Sequence, residues 1–194
     1  MTVHLLRHGK TQANEKKLYC GYTDLPLSEN GVGELIALKN QGIYPPAADI
    51  YFTSGLLRTS QTLESIYGRV NQTPVPAIAE YNFGHFEMKS YEDLKHQAHY
   101  QAWITDETGD VSCPNGESKN QARARVLDGY AQIVETVRQA GHKSAMIACH
   151  GGTIVFIMEF LQPGVKHFYE WQPQPGRGYS LLYGPEGLCT YKSI

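Results

Sequence analysis

Ser144-Ala-Met-Ile-Ala-Cys149 runs straight into His150-Gly151-Gly152. Its Ala-Met-Ile-Ala interior is apolar throughout, as expected of a strand in a parallel sheet whose two faces are both covered by helices. Gly151 is placed to open a helix directly afterwards. A stretch near the amino terminus has the same build: Val3-His-Leu-Leu6 reads as a buried strand and continues into Arg7-His8-Gly9. Two apolar strands that each end in a histidine and glycine predict an open α/β sheet, in which ligands bind at the carboxyl ends of strands.

Working outward, short apolar runs alternate with longer amphipathic ones, the βαβα signature. Ile50 to Thr53 is a further predicted strand, and Leu57 to Val70 a helix with Leu63, Ile66 and Tyr67 at core spacing. Ser28 can cap a helix whose Val32, Leu35, Ile36 and Leu38 face inward. Ser118 and Gln121 form a capping box that opens a helix to about Arg138, which Gly141 can terminate. Tyr179 to Tyr183 and Leu188 to Tyr191, around the Gly184-Pro-Glu-Gly187 turn, read as a closing hairpin. Between residues 81 and 114 the pattern breaks into an aromatic-rich insertion with a short helix, carrying Phe83, Phe86, Tyr91, Tyr100 and Trp103. The expected fold is a three-layer α/β/α domain spanning residues 1–194, with a mostly parallel central sheet and the 81–114 segment as a small lid.

Composition narrows the function by exclusion. With 17 Lys+Arg against 19 Asp+Glu, a net charge of −2 and no run of one sign, the chain lacks the clustered basic surface that nucleic acid demands. No stretch of about 18 apolar residues occurs, so no membrane span is expected. No secretory signal pattern is seen at the amino terminus. The four cysteines, Cys20, Cys113, Cys149 and Cys189, are scattered singly, without zinc-site spacing or disulfide density. A protein of the reducing cytoplasm fits best.

The strand ends carry the chemistry. Adjacent strands would bring His8 and His150 together, while Arg58, a short turn beyond Thr53-Ser54, and Asn14, six residues past His8, reach the same rim. The helix start at Gly151 offers backbone N–H groups and a positive dipole end. Such a set describes a pocket for a tetrahedral dianion. Arg7 and Arg58 suit it as clamps, because guanidinium grips phosphate with paired donors and never loses its charge. Cationic surroundings should depress the pKa of His8 and leave it a neutral nucleophile near pH 7. Attack on phosphorus would give a phosphohistidine, and departure of an alkoxide then needs a proton. Glu80 is the candidate acid, with Glu87 a rival nearby.

Leu6-Arg7-His8-Gly9-Lys10-Thr11-Gln12-Ala13-Asn14 resembles the arginine-histidine-glycine motif of the histidine phosphatase superfamily, also called phosphoglycerate mutase-like. Further matches follow in order: Gly21 to Gly31, Ser54 to Thr62 with the second phosphate arginine, Glu80 to Gly84 with the proton donor, Gly116-Glu-Ser118, and His150-Gly151-Gly152. The resemblance implies His8 as the phosphorylated nucleophile, Arg7, Arg58 and His150 as phosphate ligands, Asn14 as an accessory ligand, and Glu80 as acid and base. It also implies that no metal or other cofactor is required. Lys10 stands where the family usually has glutamate or glutamine, and Phe86-Glu87-Met88 replaces its usual tryptophan and glycine. These departures leave the phosphate chemistry intact and concern the substrate's organic portion.

The implied partner is a small-molecule phosphomonoester. Mutases of the family are longer and hold a second anionic group with basic residues in the insertion; here His85 to Ser118 carries only Lys89 and Lys95 as permanent cations. Hydrolysis of a phosphomonoester with a neutral or aromatic remainder is therefore expected, and Gln12 to Pro26 looks most like the α-ribazole phosphatases. The alternatives are a cofactor-dependent phosphoglycerate mutase and a non-catalytic phosphate-binding protein on the same fold. Most of the aromatic cluster is expected in the core, with Tyr22, Phe83 or Trp103 lining the cleft. His96 and His99, three apart on an expected helix, read as a surface pair because no further metal ligand has suitable spacing.

Overall fold

The computed structural model describes residues 1–185 and 187–194. Strand β1 is Thr2–Arg7, followed by a single turn of helix, α1, at Gln12–Glu15 and by α2 at Glu29–Asn40. Strand β2 (Ile50–Thr53), helix α3 (Leu57–Tyr67) and a short strand β3 (Gln72–Pro74) come next. Helices α4 (Tyr91–Leu94) and α5 (Ala98–Ile104) lie in the insertion, ahead of α6 (Lys119–Gln139). Strand β4 (Ser144–Cys149), helix α7 (Gly151–Leu161), and strands β5 (Gly178–Gly184) and β6 (Gly187–Ser193) complete the chain.

The six strands form one sheet in the order β3-β2-β4-β1-β5-β6. The first four are parallel and the β5–β6 hairpin adds an antiparallel edge, so the sheet is mostly parallel, as expected. The hairpin is where the sequence puts it; its turn includes Glu186, which lies outside the described residues, as does the side chain of Cys189.

Strand pleating sorts the apolar runs into two layers. Val3, Leu5, Phe52, Ala145 and Ile147 face α6 and α7, packing with Val126, Ile133, Ile154 and Ile157. Leu6, Tyr51, Met146 and Ala148 face the other way, against Leu35 of α2 and Leu63 and Ile66 of α3. Each fully buried Leu or Ile contributes about 1.5–3 kcal/mol relative to exposure, which holds the strand ends in a fixed register.

Local signals set the helix ends. The Ser28 hydroxyl accepts the Gly31 N–H at 3.0 Å, and Ser118 and Gln121 exchange both bonds of a capping box. Gly68 and Gly141, with φ of 75° and 70°, end α3 and close the turn after α6. Three expectations are corrected. Ile36 is 44% exposed, because only Leu35 of that adjacent pair can point at the sheet. Helix α3 stops at Tyr67 instead of reaching Val70. The insertion holds two short helices and a 3₁₀ turn at Gly84–Phe86, not one helix. Phe86, Leu94 and Tyr100 anchor it to the core, each no more than 1% exposed.

Candidate active site

The β1–β4 register sets Arg7 opposite Cys149, so His8 and His150 leave the sheet side by side. The His8 N–H extends the ladder to the Cys149 carbonyl at 3.0 Å, and the two rings stand 5.2 Å apart between centroids. His8 Nδ1 lies 2.6 Å from the Gly9 carbonyl oxygen, which can only accept, so Nδ1 carries the proton and Nε2 is left as a base. Burial, and after it the Arg58 and Arg7 charges, hold the His8 pKa well below the usual histidine range, opposed only by the Gly9 bond. His150 is depressed likewise, by burial first and then by Arg58, His8 and Arg7. His150 Nε2 shares a hydrogen bond with Ser54 Oγ at 2.8 Å, while its buried Nδ1 has no partner within the protein.

Arg58, the second residue of α3, is 1% exposed and donates to the carbonyls of Thr23 and Gly21 at 3.0 and 2.6 Å. The loop offering those carbonyls is tied in turn to Glu87, whose carboxylate accepts the N–H groups of Tyr22 and Thr23 at 2.6 and 2.7 Å and the Thr23 hydroxyl. Only glycine fits at position 21, where a Cβ would meet the Tyr81 carbonyl oxygen at 1.8 Å. Arg7 donates through Nη1 to the Pro173 carbonyl at 2.7 Å and leaves its buried Nε without a protein partner.

Glu80 follows the 3₁₀ turn at Pro76–Ile78 and is 9% exposed. Its Oε1 accepts the Tyr81 N–H at 2.9 Å and its Oε2 the Gly152 N–H at 3.0 Å. The start of α7, expected to serve an incoming anion, therefore already spends one N–H on this carboxylate. The fit is close, since a Cβ on Gly152 would stand 2.4 Å from Glu80 Oε1 and push the carboxylate aside.

Arg7, His8, Asn14, Glu80 and Gly152 open onto one cavity of about 540 Å³. Arg58 and His150 stand outside its lining, both buried within the protein. Asn14 spends Oδ1 on the Thr11 N–H and hydroxyl of a capping box, so any contact to an anion falls to its amide nitrogen. Phe83 and Trp103 line the cavity as expected. Tyr22 does not: it is 45% exposed, with the Arg125 guanidinium 5.7 Å from its ring centre. Tyr19, Phe168, Tyr169, Gln172 and Lys119 also line it, and sequence reasoning did not single them out. Lys119 begins α6 one residue after the capping serine, a position that reads as an ordinary helix start.

No group of three or more His, Cys, Asp or Glu among the described residues is arranged to hold a metal. His96 and His99 are both exposed, but His96 lies in the turn after α4 and only His99 is helical, so the expected shared helix is absent. Cys20, Cys113 and Cys149 are free. No helix among the described residues is long and apolar enough to cross a membrane.

The model of the histidine phosphatase superfamily (branch 1) matches residues 3–191. A 2,3-bisphosphoglycerate-dependent phosphoglycerate mutase of Beijerinckia indica is 33% identical over 202 residues, covering 97% of this chain and 94% of its own. The adenosylcobalamin/alpha-ribazole phosphatase of Salmonella typhimurium is 32% identical over 199 residues, covering 100% and 96%. In structure, the alpha-ribazole phosphatase of Shigella flexneri superposes with a TM-score of 0.83 at 23% identity, over 97% of this chain and 93% of that one. A phosphoglycerate mutase of Thermus thermophilus gives 0.72 at 24% identity, over 100% and 99%.

Proposed function

The chain belongs to the histidine phosphatase superfamily, and from that premise we propose that it hydrolyses a small organic phosphomonoester through a phosphohistidine, without a metal. The observation that carries this reading is the state of His8. Its Nδ1 proton is committed to the Gly9 carbonyl, in surroundings that keep the ring neutral, so the Nε2 lone pair is free for attack. The buried Arg7 Nε and His150 Nδ1 have no partner within the protein, and the oxygens of a bound phosphoryl group would supply acceptors for protons on both.

In the first step His8 Nε2 forms a bond to phosphorus as the ester P–O bond breaks. Protonated Glu80 gives its proton to the leaving oxygen, a contribution of about 10² to 10⁴ in rate. In the second step the Glu80 carboxylate takes a proton from water as the water oxygen attacks phosphorus and the P–Nε2 bond breaks, its electron pair returning to His8. Inorganic phosphate departs, and both groups return to their starting states. Arg7 and Arg58 neutralise the charge that gathers on the equatorial oxygens, with Asn14 and the start of α7 at Gly151 as accessory donors.

Relatives of similar identity carry mutase and phosphatase names, so the organic portion of the cavity has to separate the two. Apart from Arg7, Lys119 is the single Lys or Arg in its lining, and its Nζ stands 4.0 Å from the centre of the Phe168 ring. The rest of that wall is mainly aromatic, from Tyr19, Tyr81, Phe83, Trp103 and Phe168. A planar, mostly uncharged remainder suits this better than the second phosphate of a bisphosphoglycerate, and α-ribazole 5′-phosphate is of that class. Residues 81–114 act as the lid over it. The three free described cysteines support a reducing, cytoplasmic setting.

The test is hydrolysis of an aryl phosphate with and without chelator. Activity that survives chelator, disappears in His8→Ala and leaves a trappable phosphohistidine in the wild type supports the reading. Activity that needs a divalent cation, or that persists in His8→Ala, overturns the mechanism. Bisphosphoglycerate-dependent interconversion of phosphoglycerates faster than hydrolysis would make the chain a mutase.

A further inference from the structure

Arg125, on α6, is not part of the cavity lining, yet all five of its N–H donors are used. Nε and Nη2 form a two-point ion pair with Glu117, at 2.7 and 2.8 Å. The remaining three donors go to backbone carbonyls on one short segment: Nη1 to Ala77 and Ala79 at 2.8 and 3.0 Å, and Nη2 to Glu80 itself at 3.2 Å. Glu117 grips the other side of the same segment, its Oε2 accepting the Asn82 N–H at 2.9 Å. Tyr81 adds a third tie, its hydroxyl donating to the Glu117 carbonyl at 2.9 Å. The backbone on both sides of Glu80 is thus bolted to Arg125 in the second turn of α6 and to Glu117 just ahead of its cap.

Resting on the reading of Glu80 as the proton donor, we infer that Arg125, with Glu117, is a positioning residue that sets the Glu80 carboxyl against the leaving oxygen. A guanidinium with no donor to spare cannot bind substrate, so its effect must pass through the segment it holds. Glu80 has no side-chain cation of its own among its hydrogen bonds: its carboxylate rests on two backbone N–H groups, from Tyr81 and Gly152. Displacing residues 77–82 would move one of those donors with the carboxylate and leave the other behind on α7. Lysine cannot replace the fork, because a tetrahedral ammonium offers three donors from one point.

Misplacing an acid affects substrates unequally. The proton matters when an alkoxide must leave and matters little for 4-nitrophenolate, which departs as the anion. The experiment measures kcat and kcat/KM of wild type, Arg125→Lys, Glu117→Gln and Glu80→Gln on 4-nitrophenyl phosphate, phenyl phosphate and an alkyl phosphate. Arg125→Lys should lose about 10²-fold in kcat/KM on the alkyl ester, and less than about threefold in kcat/KM on the 4-nitrophenyl ester, which also reports that the variant is folded; a fall in kcat shared by all three esters reports the water-activation step. Glu117→Gln should show the same ordering, and Arg125→Lys should cost little further in a Glu80→Gln background. Equal losses in kcat/KM on all three esters, or losses that multiply in the double variant, overturn the inference and make Arg125 a stability residue only. If Glu80→Gln itself spares the alkyl ester, the assignment of Glu80 falls first and this inference falls with it.

Discussion

His8 Nδ1 donates to the carbonyl of Gly9 across 2.6 Å, a contact between neighbours in the chain that decides which end of the ring can react. Because burial and two arginines disfavour the charged ring, protonation of His8 should not limit the proposed attack near neutral pH. The kcat/KM profile should therefore show no loss from pH 7 down through 6.5, the ordinary histidine value, and its acid limb should begin below that. A limb centred at or above 6.5 would contradict the depressed ring.

Stability should respond to the same groups. His8 and His150 are held neutral when folded, and His4, whose Nδ1 pairs with Ser180 Oγ, is pushed down to about 4 by burial and Lys192. In the unfolded chain each takes a proton near pH 6.5. The unfolded state thus binds more protons below that pH, and stability falls as pH drops, by up to about 1.4 kcal/mol per pH unit for each ring. Calorimetric Tm should decline steadily from pH 6.5 to 5, a window where ordinary carboxylates titrate little; a level Tm there would contradict it.

Glu80 and Glu87 are separable by substitution. Glu80→Gln should lower kcat on an alkyl phosphate by about 10² to 10⁴. Glu87→Gln removes one acceptor from the loop whose carbonyls hold Arg58. It should act mainly on phosphate affinity, raising the inhibition constant of inorganic phosphate with a smaller effect on kcat. The reverse pattern would exchange their roles.

Occupancy of the proposed phosphate pocket should stabilise the fold. Inorganic phosphate at about a hundred times its Kd adds about 2.7 kcal/mol, a Tm rise of roughly 5–10 °C for a chain of this size. Arg7→Gln removes the unpartnered Nε and should cut the rise to less than about 2 °C. An undiminished rise would place the anion elsewhere.

Trp103 packs among Tyr19, Tyr81, Phe83 and Tyr100 while also lining the cavity. If this wall stacks on the organic portion, Trp103→Ala should raise KM for 1-naphthyl phosphate up to about tenfold, the equivalent of one aromatic contact. KM for glycerol phosphate should change less than about twofold. Equal changes for both esters would assign the tryptophan to packing alone.

The elements that were legible in the sequence are those with a local cause. The apolar runs of β1, β2 and β4, the Ser28 cap, the Ser118 and Gln121 box and the Gly141 stop are all visible within a few residues of themselves. Strand β3 was not, because Gln72-Thr-Pro74 is short and mostly exposed and becomes a strand only by pairing with β2. Helix α1 is too short to show a period. For the α2 face, periodicity allowed both Leu35 and Ile36, and the position of the sheet chose Leu35.

The sequence by itself determined that Arg7-His8 and His150-Gly151 end two buried strands, and from that alone a doubled-histidine anion pocket on an α/β sheet could be read. Tertiary structure decided that β1 and β4 are neighbours in register, that Glu80 rather than Glu87 faces the cavity, and that Tyr19, Phe168 and Lys119 share its wall. It also joined Arg125 and Glu117 to the segment that carries Glu80. The reason is physical: caps and apolar runs arise from interactions within one turn or one strand. A carboxylate's neighbours are set by sheet order and helix packing between segments tens of residues apart, which leave no periodic mark on the chain.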